Sequence, residues 1–313
     1  MSEAVPDSRD PLPSWNRGFV KAAILDFVAQ VTTEGTLTYK PPSQRIATFD
    51  NDGTLWCERP FLVQIYFLVD RIKAIAIDNP ALANQQPFKA ILENDRETIA
   101  TFTKKELVAL IFATHAGMPQ EEFLAVAASW FNNAKHPHLQ QLFKACIYQP
   151  MRELLDFLKA HEFKNYIVTG GGVDFVRVIA DEIYGIPPEH VIGSSGKLKF
   201  ELQGDTPMLT KLPELNSFND REAKVENIAL HIGLRPLLAF GNSDGDLAML
   251  RYTAAGTGNR LALLLHHDDS DREYAYDRDF KISPLVEGLN VVPTLQGGML
   301  VSMKQDWKRV FLF

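Results

Sequence analysis

Asp50 and Asp52 stand one residue apart in the run "FDNDGTLW", Phe49 to Trp56, and two carboxylates so close repel each other. The pairing costs stability unless a cation or a shared proton offsets it. Asp50 closes the apolar run "IATF", so a sheet would hold its carboxylate at a strand end, as a nucleophile or a metal ligand requires. Asp52, two residues on, can face the same cleft and there donate and accept a proton. Gly53 allows a tight turn and Thr54 can fix it by hydrogen bonding. The plain alternative is an Asp-Gly turn carrying two surface acids.

Three further groups could complete such a centre. Thr169 ends the apolar run "NYIV" and is followed by Gly170, Gly171 and Gly172. A hydroxyl and backbone N–H groups at a helix start there would make an anion site, with a plain tight turn as the alternative. Neither G-x-G-x-x-G nor the Walker pattern is satisfied. Lys224 lies early in an amphipathic segment, where it is either solvated surface or an inward point charge holding a phosphate against a carboxylate. "GNSDGD" after "PLLAF" offers Asn242, Asp244 and Asp246, oxygen ligands of the kind Mg²⁺ prefers; a solvated acidic turn is the alternative.

Glu58 and Arg59 follow the first acidic run closely. Glu58 is expected either at the mouth of the site, reading a substrate amine, or as an exposed linker residue before Pro60. The "HPH" of His136 and His138 and the "HHDD" of His266 to Asp269 have no second ligand group at metal-binding spacing and read as solvated loops. Trp130 and Phe131 close a helical stripe and read as core.

The elements that must position these residues follow from periodicity. A helix is expected over Asn16 to Val31, then a loop with a Pro pair, then the buried strand "IATFD" of a parallel sheet. From Phe61 to Gln149 the pattern is helical: "FLVQIYFLVDRIKAIA", "TKKELVALIFATHAG" with a Thr103/Glu106 capping box, and "QEEFLAVAASWF" after a stop at Gly117 and Pro119. Pro150 opens a return to strand and helix alternation, with "HVIGSSGKLKFELQGDTPML" as a short β-hairpin excursion. The expected division is a core domain of 1–60 and 150–313 with a helical cap of 61–149 inserted. In open α/β sheets ligands sit beyond the carboxyl ends of the strands. Three strands here end in polar clusters that a parallel sheet would bring together.

At 313 residues the chain can hold such a core and its insertion, and a hydrophobic fraction of 46% with 23% charged residues is that of an ordinary globular protein. A net charge of -7 and a pI near 5.6 give no general drive toward nucleic acid or an anionic membrane. No apolar run is long enough to span a bilayer, and "MSEAVPDSRDPLPSW" has neither the basic start nor the apolar run of a secretory signal. Two cysteines, Cys57 and Cys146, could make at most one bridge, which suits a reducing cytoplasm. Oligomeric state and the seat of the tail "KQDWKRVFLF", on the core or on a neighbour, are not legible.

Taken together, D-x-D-G-T after one strand, Thr after a second, then Lys, then an acidic loop after a third resembles the haloacid dehalogenase superfamily, over about Arg45 to Thr253. The helical insertion looks like the cap of its phosphoserine phosphatase-like branch, on a Rossmann-like α/β core with helices on both faces. The resemblance implies that Asp50 attacks phosphorus to form an aspartyl-phosphate. Asp52 would protonate the leaving alcohol and then activate water, and Thr169 and Lys224 would hold the phosphoryl oxygens, with the Gly170 backbone beside them. It implies Mg²⁺ bound by Asp50, the Asp52 carbonyl and the Asn242 loop, and a small phosphorylated metabolite as substrate. One departure stands out: the family commonly has Asp where this chain has Asn242. An amide oxygen can ligate Mg²⁺ but brings no charge, which leaves the loop ligand open among Asn242, Asp244 and Asp246. Phosphotransfer, dehalogenation and phospho-ligand binding without turnover remain open alternatives.

Overall fold

The computed structural model describes residues 10–99, 101–102, 110–111 and 114–313. Four consecutive buried residues, Ile46–Phe49, form β1 at the centre of a seven-stranded sheet of order β4-β3-β2-β1-β5-β6-β7. The other strands are β2 (Lys164–Gly172), β3 (Val191–Gln203), β4 (Thr206–Ser217), β5 (Leu238–Gly241), β6 (Leu261–His266) and β7 (Gly298–Ser302). All pair parallel except β3 with β4. Unbroken burial along β1 and β5 is what a strand covered on both faces requires.

Register does the positioning. Phe49 lies opposite Ile167 on one side and Phe240 on the other, so Asp50, Val168–Thr169 and Gly241–Asn242 lie level with one another across the sheet. Asp50 is tied to this edge by its N–H, which donates to the Phe240 carbonyl at 2.9 Å. The α/β class and the convergence of three strand ends stand as expected from sequence.

Helices α1 (Phe19–Thr32), α2 (Val63–Asp78), α3 (Gln120–Asn133), α4 (Gln149–Ala160), α5 (Val173–Tyr184), α6 (Glu222–His231) and α7 (Leu247–Ala254) supply the remaining layers. Among the described residues, 61–149 contains no strand. Its α3 packs on α5, and Phe67, Phe123 and Phe131 belong to the same apolar cluster as Trp56 and Phe175. A smaller cluster of Leu68, Ile72, Ile91 and Leu110 belongs to the helical segment alone. Phe131 is core, as expected, with its ring tilted 4.6 Å from Phe175, and Trp130 is half-buried against that core, stacked 5.0 Å from Phe143. The Thr103/Glu106 capping box lies outside the described residues.

Three expectations are corrected. The hairpin is not a short excursion: β3 and β4 run 13 and 12 residues, and the outer half of β3 leaves β2 to pair with β4 alone. Gly170–Gly172 belong to β2 and the helix begins only at Val173, because Gly172 pairs with Ser194 across the sheet. One histidine of each loop is not solvated, whereas His138 is exposed as expected and His266 is half-buried. His136 is buried, with Nε2 at 2.8 Å from the Arg59 carbonyl, and His267 is buried with Nε2 at 2.7 Å from the Gly53 carbonyl. β7 adds a seventh strand that carries no strong alternation. The tail settles on the core, with Trp307 edge-on to Trp15 at 6.0 Å and fully buried.

Candidate active site

Lys224 is the third residue of α6, and its side chain reaches inward to the strand edge, where it is buried. Its Nζ donates to Asp50 Oδ1 at 2.6 Å, to Asp246 Oδ1 at 2.6 Å and to the Val168 carbonyl at 2.8 Å. An ammonium carries three protons, so all are used. Lys224 is therefore an inward point charge and not surface. Asp246 is equally committed: its Oδ2 accepts the Asn242 and Ser243 N–H groups at 3.0 and 3.1 Å, closing the loop after β5 as a capping box.

Asp52 leaves the strand end on the side of β2. Its Oδ1 accepts Trp56 Nε1 at 2.9 Å, and the Thr169 hydroxyl is directed at the same carboxylate. Thr169 Oγ1 in turn accepts the Gly171 N–H at 2.9 Å, and Asn219 Nδ2 holds the Thr169 carbonyl at 2.9 Å. Asp50, Asp52, Thr169 and Lys224 thus share one crevice. The glycine loop is less open than expected. The Gly171 N–H faces Thr169 and the Gly172 N–H donates to Gln64 Oε1 at 2.8 Å, so two of the three amides already have partners.

Burial shapes the charges. Desolvation pushes the Asp50 carboxyl up, helped by the Asp246 charge and opposed by Lys224. Asp52 is raised by desolvation as well, against the Trp56 hydrogen bond. Lys224 is held charged despite its burial by Asp246 and Asp50. Two carboxyl groups whose pKa values are both raised by burial, one of them paired to an ammonium, are a starting point for acid–base chemistry at one centre.

The oxygen set fits a hard divalent cation. Asp50 Oδ2 and Asn242 Oδ1 are both buried and share one hydroxyl, Thr54 Oγ1, at 3.4 and 3.2 Å. Two converging acceptors served by a single donor leave lone pairs that Mg²⁺ would satisfy. Asp244 does not join them: its carboxylate accepts the N–H groups of Val286, Glu287 and Gly288 at 2.8 to 3.2 Å. Among the described residues no group of three or more His, Cys, Asp or Glu side chains is arranged as a metal site.

Glu58 is neither at the mouth nor exposed. It is fully buried, and it accepts from Asn242 Nδ2 at 2.7 Å, Tyr276 OH at 2.9 Å and Ser283 Oγ at 2.9 Å. Arg59 turns the other way, with its guanidinium 4.6 Å from the Phe280 ring centre. Trp56, Gln64, Tyr276 and Ser283 were not singled out from sequence; only Trp56, four residues after Asp52, lay close enough in the chain to suggest its role.

A cavity of about 130 Å³ adjoins this crevice beyond Gly170 and Gly172. Phe123, Phe175 and Leu215 give it an apolar wall, and Lys211, ion-paired to Asp174, gives it one polar edge.

Residues 47–251 match the family model of haloacid dehalogenase-like hydrolases, and the chain belongs to that family. No curated protein matches it. Among solved structures, it resembles a conserved protein of unknown function from Anaerococcus prevotii DSM 20548, with a TM-score of 0.52 and 16% identity over 80% of this chain and 86% of the other. A protein of unknown function from Bordetella pertussis Tohama I gives 0.52 and 14% over 82% and 98%. A phosphoserine phosphohydrolase-like protein from Francisella tularensis subsp. tularensis SCHU S4 gives 0.39 and 17% over 71% and 87%. At these identities the likeness to the first two is one of fold. No described helix is long and apolar enough to cross a membrane.

Proposed function

We propose that this hydrolase is a Mg²⁺-dependent phosphatase of a small phosphomonoester, working through an aspartyl-phosphate on Asp50. The observation that carries the reading is the 2.6 Å contact of Lys224 Nζ with Asp50 Oδ1 beside a half-buried Asp52. Lys224 aims Asp50 and opposes the rise that burial imposes on its carboxyl.

In the first step an Asp50 oxygen bonds to phosphorus as the ester P–O bond breaks, and Asp52 gives its proton to the departing alkoxide. In the second, Asp52 takes a proton from water as the water oxygen attacks phosphorus, the Asp50–phosphorus bond breaks and inorganic phosphate leaves. Thr169 and the Gly170 backbone hold the phosphoryl oxygens, and Lys224, whose protons go to Asp50, Asp246 and Val168, supplies positive charge beside them. Mg²⁺, held by Asp50, Asn242 and the Asp52 carbonyl, would supply charge neutralisation for the phosphoryl group. Asp246 orients Lys224 and the loop, and Asp244 lies outside the set.

The segment 61–149 serves as a cap over the core of 1–60 and 150–313, and the leaving group lodges in the cavity under it. Its size supports a small metabolite, and nucleic acid and membrane are not partners. Free Cys57 and Cys146 support a reducing, cytoplasmic setting. Release of phosphate from an aryl phosphate, with and without EDTA and against an Asp50→Asn control, tests the reading. No Mg²⁺-dependent release above the control would leave phospho-ligand binding without turnover ahead, which the uncharged Asn242 favours. A panel of phosphorylated metabolites would then name the substrate.

A further inference from the structure

The crevice lacks the carboxylate that an aspartate at position 242 would bring, yet a carboxylate lies directly behind it. Glu58 Oε1 is 2.7 Å from Asn242 Nδ2, and Glu58 is fully buried although the chain at this point runs toward Pro60 and the helical segment. Burial of an acid is costly unless each oxygen is served, and here Tyr276 OH serves Oε1 and Ser283 Oγ serves Oε2. The network has one consequence for the crevice. A carboxylate accepts and an amide has one donating end, so Glu58 dictates that the Asn242 NH₂ points back and Oδ1 points forward, to Thr54 and Asp50. Gly53 sits against both partners, leaving no room for a side chain between turn and network.

We infer that Glu58 is a positioning residue of the cation site: it holds the Asn242 amide from behind and so fixes its oxygen toward Thr54 and Asp50. The inference rests on the cation assigned to Asp50 and Asn242 above. Outer-shell carboxylates of this kind orient the ligand and raise its donor strength, and their loss typically weakens metal binding about 10- to 100-fold.

Direct titration of Mg²⁺ and Mn²⁺ into the intact protein by calorimetry, with no substrate present, tests it on four proteins: wild type, Glu58→Gln, Asn242→Asp and the double variant. Glu58→Gln, nearly isosteric, is expected to bind both ions about 10- to 100-fold more weakly. Asn242→Asp adds a ligand carboxylate but sets it against Glu58, so it binds no tighter than wild type. The double variant exchanges amide and carboxylate and recovers most of the loss, a non-additive cycle. Wild-type affinity in Glu58→Gln, tighter binding by Asn242→Asp alone, or simple addition of the two effects would each overturn the inference. Should Glu58→Gln not fold, Asn242→Asp decides by itself. A wild type that binds neither ion fails the cation assignment as well, whereas a wild type that binds while Glu58→Gln is unchanged fails this inference only.

Discussion

Lys224 and Asp50 meet at 2.6 Å in a buried ion pair whose partners lie 174 residues apart in the chain, and Asp246 completes it at the same distance from the ammonium. Two buried carboxyl groups share one cation in the crevice. Removing the cation would leave both uncompensated. Lys224→Met is therefore expected to cost about 3–5 kcal/mol of unfolding free energy, as removal of one partner of a buried pair does. Added Mg²⁺ should return part of it. Urea unfolding with and without Mg²⁺ measures both, and an unchanged midpoint in the variant would contradict the pairing.

Asp50→Asn differs in kind, because Lys224 keeps Asp246 and Val168 as partners when position 50 turns neutral. The variant should fold and show no turnover of an aryl phosphate. Asp52→Asn keeps an oxygen for Trp56 Nε1 but loses the transferable proton, which is typically worth about 10²- to 10⁴-fold in rate. Steady-state kinetics beside circular dichroism separates chemistry from folding. Near-normal rates in either variant would be incompatible with the roles given to these acids.

Asp50, Thr169 and Asn242 were legible in the sequence because each follows a short apolar run, and a buried parallel strand has no other way to end than at the edge where ligands bind. The hairpin length and β7 were not. Beyond Gly196 the strands are half solvated and carry mixed side chains, and Gly298–Ser302 is five residues with one fully buried position, Val301. Glu58 escaped for a different reason. Its partners Asn242, Tyr276 and Ser283 are 184, 218 and 225 residues away, and no local pattern encodes which distant donors converge on a buried acid. Asp244 illustrates the reverse: a residue of the right type in the right loop, taken up by backbone amides of a neighbouring turn that only the fold brings near.

Gly53 links the catalytic turn to that distant network. Its φ of +76° lies in the left-handed region, which costs an L side chain roughly 1–2 kcal/mol. A Cβ there would also run into Asn242 Nδ2 and Glu58 Oε1. Gly53→Ala should thus lose more stability than the backbone cost alone and should weaken Mg²⁺ binding with it, by displacing Asn242. Chemical unfolding in EDTA and calorimetric titration of the ion read the two effects; a variant with wild-type values in both would mean that the turn has slack the present geometry does not show.

His115 makes stability depend on pH. It is buried beside the cavity, stacked on Phe67 with 5.8 Å between ring centres and edge-on to Phe123 at 4.5 Å. Desolvation, then the charges of Lys211 and Arg71, lower its pKa to about 3, against a backbone hydrogen bond at Ile111 and the charge of Asp174. In the unfolded chain the imidazole titrates near its ordinary value of about 6.5. Between these values the unfolded state binds a proton that the folded state refuses, so stability is complete above about pH 6.5 and falls as pH drops toward 3. The slope from this one group approaches 1.36 kcal/mol per pH unit. His136 and His190 are also lowered by burial and add to the total, so the contribution of His115 is read as a difference. His115→Phe preserves the ring stack and removes the proton site. Its unfolding free energy, measured from pH 7.5 to 4.5, should decline less steeply than that of the wild type by close to one proton's worth, and parallel profiles would show that His115 is protonated in the folded protein.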